Sequence, residues 1–107
     1  MLRGILGIMK VRYADEHTSL VETDQAHKLR LPVVVIKAAR RRVRVLRRCV
    51  DERDIRAIPS FHYEKLGGKR DGQRSIRLND QWRLIVRVDR DCDPIEIEVI
   101  EISNHYE

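Results

Sequence analysis

Residues 72–83 carry a β-hairpin pattern that constrains the fold of this chain more than any other segment. In the first predicted strand, Ile76 and Leu78 share one face because side chains alternate along a strand. In the second strand, Trp82 and Leu84 begin a similar alternating series. A three-residue loop sets the apolar residues of the two strands opposite one another, whereas a two-residue loop would pair apolar with polar residues. We therefore predict the three-residue loop.

The predicted loop begins at Asn79, a residue type that tolerates the left-handed conformation such a loop needs. The same register places Arg77 directly opposite Arg83, on the face away from the apolar side chains. Like charges in this position repel each other, so we interpret the pair as an anion site, for which phosphate is the natural candidate. The alternative is that these arginines form ion pairs with glutamates of the neighbouring strand: Glu96, Glu98 or Glu101.

The segment over residues 61–83, FHYEKLGGKRDGQRSIRLNDQWR, resembles the HigB-type killer toxins of the RelE superfamily. Those proteins have a leucine, a small or basic residue, a glycine, a basic pair, a glycine, Ser-Ile-Arg and Trp-Arg in this order. The resemblance continues along the last strand to the C-terminus, and the first half of the chain agrees only in pattern. A run of this length is more specific than any single short signature.

The resemblance implies the toxin of a type II toxin–antitoxin pair of the plasmid-maintenance kind. Such a toxin is an endoribonuclease (mRNA interferase) that cuts messenger RNA in the ribosomal A site and inhibits translation. It needs no metal or cofactor, because the 2′-hydroxyl of the substrate is the nucleophile. The implied partners are the ribosome, messenger RNA and a HigA-like helix-turn-helix antitoxin. Two rivals are a non-catalytic gyrase poison of the same superfamily and an RNA-binding module, for which aromatic stacking platforms are lacking.

The resemblance also suggests catalytic residues. Arg77 and Arg83 would hold the scissile phosphate and stabilise the charge that develops in its transition state. The killer toxins end in Asp-Tyr-His, which belongs to their active site, whereas this chain ends in Ser-Asn-His-Tyr-Glu. One register puts His105 on the family histidine, and another puts Tyr106 there and Asn104 on the aspartate. Either register supplies an imidazole that titrates near neutral pH and a phenol; the alternative is a solvated tail.

Basic residues before and within the hairpin are predicted to contact RNA. Lys69 and Arg70 match the basic pair of the family, and we expect them, with Arg74, to bind the RNA backbone. His62 and Lys65 lie three residues apart and could face one cleft as base and electrostatic partner. The alternative for these two is an ordinary surface position.

Composition agrees with a small domain that binds a polyanion. The 107 residues predict a single domain, with residues 1–8 as an unstructured extension. Lys+Arg 22 against Asp+Glu 17 gives a net charge of +5, and most of the bases are arginine, whose planar fork suits phosphate. No apolar run is long enough for a bilayer. Cys49 and Cys92 show neither a disulfide framework nor metal spacing, so we predict free thiols in a reducing cytoplasm.

Residues 33–50 are predicted to form the longest helix, starting at Pro32. Its apolar residues recur at steps of three and four and form one stripe: Val35, Ala39, Val43, Leu46 and Val50. Its basic residues form the opposite stripe: Lys37, Arg40, Arg41, Arg44 and Arg48. Such a stripe is usually a solvated surface. Two specific alternatives are contact with ribosomal RNA and contact with an acidic stretch of a neutralising partner.

The remaining pattern predicts an α+β, RelE-like fold, with N-terminal helices packed on a mostly antiparallel β-sheet. A short strand is expected over residues 9–13, a short helix from about Thr18, and a helical turn within residues 51–58. The final strand over residues 95–102 changes phase, which we interpret as a β-bulge at residues 99–100 that keeps its apolar residues inward. The bulge would also turn three side chains onto the open face that holds the arginine pair: Glu101, Ser103 and His105.

Overall fold

The structure, a computed structural model, describes residues 8–104 of the chain. The extension predicted over residues 1–8 falls almost entirely outside this range and stays a prediction. His105 and Tyr106 also lie outside the described residues. No helix within the described range is long and apolar enough to cross a membrane.

The described residues form a five-stranded sheet with the strand order β1-β5-β4-β3-β2. The strands are β1 (Lys10–Tyr13), β2 (Glu64–Lys65), β3 (Arg74–Arg77), β4 (Arg83–Asp89) and β5 (Glu96–Ser103). β1 runs parallel to β5, and the other neighbouring strands are antiparallel. The predicted α+β fold with a mostly antiparallel sheet is therefore confirmed.

Helices supply the second layer of the protein. The α-helices of residues 8–104 are α1 (Glu16–Ser19), α2 (Val33–Leu46) and α3 (Glu52–Arg56), and short 3₁₀ helices lie at Leu20–Glu22, Ala26–Leu29, Pro59–Phe61 and Gly68–Arg70. α1 begins two residues earlier than predicted. The cause is Asp15, whose carboxylate caps the helix by accepting the N–H of Thr18 at 2.6 Å.

α2 starts after Pro32 as predicted but ends at Leu46. Beyond that point the N–H of Cys49 donates to the Leu46 carbonyl at 3.1 Å, which is an i to i−3 turn rather than a continued helix. The next N–H, that of Val50, donates to a carboxylate oxygen of Asp54 at 2.7 Å. Val50 is 41% exposed, so its predicted place on the apolar stripe was wrong.

The core lies between α2 and one face of the sheet. The other members of the predicted apolar stripe are fully buried: Val35, Ala39, Val43 and Leu46. Opposite them, the core includes Ile76, Leu84, Val86, Ile97 and Val99 from the sheet.

The predicted β-bulge is confirmed. Val86 pairs with Val99, whereas the preceding residue, Ile85, pairs with Glu101, so that Ile100 is the extra residue of β5. Ile100 itself is only partly buried. Four other apolar residues of this region belong to the core or pack against it: Ile95, Ile97, Val99 and Ile102.

The hairpin has the predicted register, with Ile76 opposite Leu84 and Arg77 opposite Arg83. The expectation for Asn79 was wrong, because positive φ among the described non-glycine residues occurs only elsewhere, at Arg30 and His62. The side chain of Asn79 closes the loop instead. Its Oδ1 accepts the backbone N–H groups of Gln81 and Trp82, two and three positions later, each at 2.9 Å.

Candidate functional site

Arg77, Arg83 and Ser103 form one row across the ends of β3, β4 and β5. Residues that pair across antiparallel strands project to the same face of the sheet. Because the N–H of Leu78 donates to the carbonyl of Trp82 at 3.0 Å, the alternation of the ladder leaves the arginines at a non-hydrogen-bonded position, where opposing side chains lie closest. The geometry therefore concentrates two guanidinium groups at one end of the sheet.

The hairpin loop holds both of these guanidinium groups. Nη1 of Arg83 donates to the carbonyl oxygens of Asn79 at 2.7 Å and of Trp82 at 3.1 Å. Nη2 of Arg77 forms an ion pair with the carboxylate of Asp80, whose side chain is 90% exposed. The loop thus orients one arginine through backbone carbonyls and supplies a counter-charge to the other.

The glutamates of β5 pair with other arginines. Arg12 lies 2.9 Å from both Glu96 and Glu98, and Arg87 lies 2.6 Å from Glu98. The third glutamate, Glu101, forms an ion pair with Arg70. The alternative that Arg77 pairs with one of these glutamates is therefore wrong, since its partner is in the loop.

We had expected the face that carries the arginine row to be open. Part of it is covered instead. Arg70 reaches from the 3₁₀ helix before β3 to Glu101 on β5, and it also donates to Oε1 of Gln73 at 2.9 Å. Ser75 and Ile85 share the row of Glu101 and are only 1% and 0% exposed. Arg70 therefore belongs to a covered part of the sheet that borders the arginine row.

Arg42 of α2 is a third cation at this end of the sheet, and sequence reasoning missed it. Its Nε donates to the backbone carbonyl of Arg77 at 3.0 Å, and its guanidinium stacks 4.8 Å above the ring of Phe61. Burial, together with the positive charges of Arg41 and Arg77, lowers the pKa of Arg42. One feature of the sequence could have revealed Arg42: it is a charged residue outside the basic stripe, on the side of α2 that faces the rest of the protein.

Arg74 and Lys65 lie apart from the arginine row. They pair with each other across β2 and β3, and Arg74 is three positions from Arg77, so it projects to the other face of the sheet. There it lies 3.6 Å from the carboxylate of Glu52 on α3. The structure thus does not bring Arg74 together with Arg77 and Arg83, and its contact is with a buried carboxylate instead.

Lys69 and His62 are both exposed. Lys69 lies in the same 3₁₀ helix as Arg70, next to the covered part of the sheet. His62 ends the preceding 3₁₀ helix in a left-handed conformation, with φ 44°, which is uncommon for a residue other than glycine. It directly follows Phe61, on which Arg42 stacks.

The predicted catalytic tail begins at the arginine row. Ser103 is the third member of that row and is 7% exposed, and Asn104 follows it as an exposed residue. His105 and Tyr106 come next in the chain, outside the described residues. That they lie beside Arg83 stays a prediction. It is supported by Ser103, which precedes them in the chain and pairs with Arg83.

A second polar cluster, on the helix side of the sheet, centres on the buried carboxylate of Glu52. This carboxylate accepts a hydrogen bond from the hydroxyl of Tyr63 at 2.6 Å and forms ion pairs with Arg90 and Arg74. Burial opposes ionisation of Glu52, but this hydrogen bond and the two arginines outweigh it and lower the pKa. Burial and the same carboxylate raise the pKa of Tyr63. Within the described part of the chain, no group of three or more His, Cys, Asp or Glu side chains is placed to hold a metal ion.

A family model and a characterised relative both match this chain to the same class of toxin. The family model described as the RelE-like toxin of the type II toxin–antitoxin system HigB matches residues 11–98. Toxin HigB-1 of Vibrio cholerae serotype O1 (strain ATCC 39315 / El Tor Inaba N16961) is 38% identical over 64 residues, which are 60% of this chain and 66% of that toxin. The match therefore spans just under two thirds of the relative.

Two solved structures share the fold. The YoeB/ParE toxin from Agrobacterium tumefaciens superposes with a TM-score of 0.58 at 20% identity, covering 92% of this chain and all of that one. The YoeB-YefM complex from Staphylococcus aureus gives a TM-score of 0.58 at 16% identity, covering 92% of this chain and 98% of the other.

Proposed function

Because the chain belongs to the HigB family of RelE-like toxins of type II toxin–antitoxin systems, we propose that it inhibits translation by cleaving messenger RNA on the ribosome. The observation that carries this proposal is the row formed by Arg77, Arg83 and Ser103. Two guanidinium groups converge there, and the chain enters its last residues from the same row. A cation pair beside a proton-transferring tail is what phosphodiester cleavage requires.

The arginine row would bind the scissile phosphate. Guanidinium groups form short, charge-assisted hydrogen bonds with phosphate oxygens, often in bidentate geometry. Arg83 is oriented by two loop carbonyls, so it is positioned before the substrate arrives. Arg77 would exchange its ion pair with Asp80 for the phosphate, whose added negative charge in the transition state both arginines stabilise.

His105, with Tyr106 or Asn104, would transfer the protons. A base removes the proton of the substrate 2′-hydroxyl, whose oxygen then attacks the adjacent phosphorus. The bond from phosphorus to the 5′-oxygen breaks, and an acid gives that oxygen its proton, leaving a 2′,3′-cyclic phosphate. An imidazole with a pKa of about 6.5 is suited to either role near neutral pH. This scheme requires no metal or cofactor.

Basic residues outside the arginine row would contact the RNA backbone. Lys69 and Arg70 border the covered part of the sheet, and His62 and Lys65 lie in the preceding segment. Their positive charge would attract RNA regardless of its sequence. Arg74 is not included, because it faces the other side of the sheet and contacts Glu52.

The partners follow from this function. The relative from Staphylococcus aureus was solved as a YoeB-YefM complex, which supports a cognate antitoxin for this chain as well. We propose a HigA-like helix-turn-helix protein encoded by the adjacent reading frame. A toxin that acts on the ribosome and messenger RNA would be located in the cytoplasm.

Induction in a host that lacks the adjacent reading frame tests the proposal. We expect growth arrest together with new 5′ ends of messenger RNA that fall within codons. The Arg83→Ala and His105→Ala variants should lose both effects, whereas Lys28→Ala, at an exposed residue outside the site, should keep them. Growth arrest without cuts in messenger RNA, or full toxicity of both site variants, would favour a non-catalytic gyrase poison instead.

A further inference from the structure

The outward side of α2 carries a group of exposed cations flanked by exposed valines. We call this group the outer stripe; its members are Val33, Val34, Lys37, Arg41 and Arg44, with Arg48 just beyond the helix end. At 3.6 residues per turn, the five members that lie within the helix span an arc of about 100°. Val33 and Val34 are 64% and 66% exposed, the largest exposures among the large apolar side chains of residues 8–104.

The rest of the surface of α2 is used for packing within the protein. Arg40 donates to the carbonyls of Val21 at 2.6 Å and Thr23 at 2.8 Å. Arg47, just after the helix, donates to Glu22 at 2.7 Å. These contacts attach the segment before α2 to one flank of the helix, and Arg42 attaches the hairpin to the other.

The cations of the outer stripe, by contrast, have no carboxylate partner among residues 8–104. Lys37 and Arg41 are four positions apart on the helix, and Arg41 and Arg44 are three positions apart, so neighbouring positive charges repel along it. The field of Arg41 contributes to the lowered pKa of Arg42. A negatively charged partner would remove this repulsion.

We propose that the outer stripe binds an acidic, amphipathic segment of the antitoxin, and this inference rests on the proposed function. Positive charge along the helix complements acidic side chains, while the two valines fit apolar residues at one end of that segment. Ribosomal RNA fits less well. A phosphate backbone offers no apolar surface for the valines, and the stripe has no aromatic residue on which a base could stack.

The binding experiment uses the purified full-length chain and the purified product of the adjacent reading frame. Affinity is measured by titration calorimetry at low and high salt. We expect Arg41→Glu/Arg44→Glu to weaken binding at least about tenfold and to reduce its salt dependence, because charge reversal opposes an acidic partner. Val33→Ser/Val34→Ser should weaken binding while leaving the salt dependence unchanged.

The matched control is Lys28→Glu/Arg30→Glu, which reverses two exposed charges outside α2. It should change the affinity by less than about twofold, since it alters only the long-range field. Thermal melting followed by circular dichroism shows whether each variant is folded. An equal loss of affinity in the control, or unchanged affinity in the stripe variants, would refute the inference.

Growth assays separate this inference from the proposed function. Arg41→Glu/Arg44→Glu should remain toxic on its own but should no longer be neutralised when the antitoxin is co-expressed. If this variant loses toxicity while binding the antitoxin normally, the stripe contacts the ribosome and the inference fails. If the wild-type chain is not toxic, the proposed function fails, and the calorimetric comparison still tests the stripe.

Discussion

Arg77 and Asp80 form an ion pair across the tip of the hairpin, three residues apart in the chain. The side chain of Asp80 is 90% exposed and that of Arg77 is 35% exposed. Ion pairs in such an exposed setting contribute little to stability. The main effect of Asp80 is therefore to reduce the positive potential beside Arg83, where we place the phosphate.

The Asp80→Asn substitution should strengthen RNA binding. It removes the carboxylate that competes with phosphate for Arg77, while leaving the loop carbonyls that orient Arg83 in place. Because the pair is exposed and screened, we expect affinity for a short RNA to rise by about two- to fivefold. Fluorescence anisotropy with a labelled oligonucleotide measures this change.

Asp24→Asn is the matched control, since Asp24 is exposed and lies outside the hairpin. Both substitutions change the net charge by the same amount. An equal gain of affinity in the two variants would mean that net charge alone is responsible and that Asp80 has no special place beside the phosphate site.

Arg42→Lys should destabilise the protein and disturb the site. Lysine keeps the positive charge but cannot reproduce both the hydrogen bond to the carbonyl of Arg77 and the flat stacking on Phe61. We expect the free energy of unfolding to fall by about 1 kcal/mol, as measured by urea denaturation. The same exchange at the exposed neighbour, Arg41→Lys, should leave the unfolding free energy unchanged, and a similar loss there would contradict the assigned role of Arg42.

Local patterns in the sequence were sufficient for the hairpin and the bulge. The alternation of Ile76 and Leu78 against Trp82 and Leu84 specifies one register, because a shift by one residue would turn the apolar side chains to the wrong face. The adjacent apolar residues at 99–100 likewise leave a bulge as the simplest way to keep their neighbours buried. The placement of Arg77 opposite Arg83 followed directly from that register.

Features that depend on a specific side-chain hydrogen bond were not predictable in this way. Asn79 can support a tight loop either by a left-handed backbone or by its side-chain oxygen, and the residue type alone does not decide between them. After α2 the hydrogen bonds change to i to i−3 turns at Arg48 and Cys49, and Asp54 accepts the next N–H, that of Val50. Periodicity reports which face of a helix is apolar but not where its backbone hydrogen bonds will change pattern.

Long-range contacts were missed for a different reason. Arg42 and Arg77 are 35 positions apart, and Arg70 and Glu101 are 31 positions apart. No repeat or spacing in the sequence connects such pairs, because their contact depends on how the helix layer and the sheet are placed. The sequence therefore identified the arginine pair of the site but not the residues that surround it.

Tyr63→Phe should test the polar cluster without removing its charge. The hydroxyl of Tyr63 donates to the buried Glu52 at 2.6 Å, while its ring lies 5.9 Å from the guanidinium of Arg56. Phenylalanine keeps the ring contact and removes the hydrogen bond, so we expect a loss of about 1–2 kcal/mol in unfolding free energy. Urea denaturation measures this loss, and an unchanged unfolding free energy would contradict a stabilising role for the hydrogen bond to Glu52.

Glu52→Gln should make the protein less stable at neutral pH but less sensitive to acid. The side chain of Glu52 is 6% exposed and contacts Arg74 and Arg90, so loss of its charge should cost about 2 kcal/mol at pH 7. Its pKa in the folded protein lies below the ordinary value. The unfolded chain therefore binds the proton first as the pH falls, so the stabilisation is fully present above about pH 4.3 and is lost as the pH falls from there through the lower folded-state pKa.

Urea titrations of the wild type and Glu52→Gln at several pH values between neutrality and strong acid measure this dependence. The difference in unfolding free energy should be largest near neutrality and should shrink as the pH falls through the folded-state pKa of Glu52. Glu22, whose pKa is also lowered, chiefly by its hydrogen bond with Arg47, adds acid sensitivity of the same sign to both proteins and so cancels in the difference. A difference that stays constant at every pH would show that Glu52 acts through packing and hydrogen-bond geometry rather than through its charge.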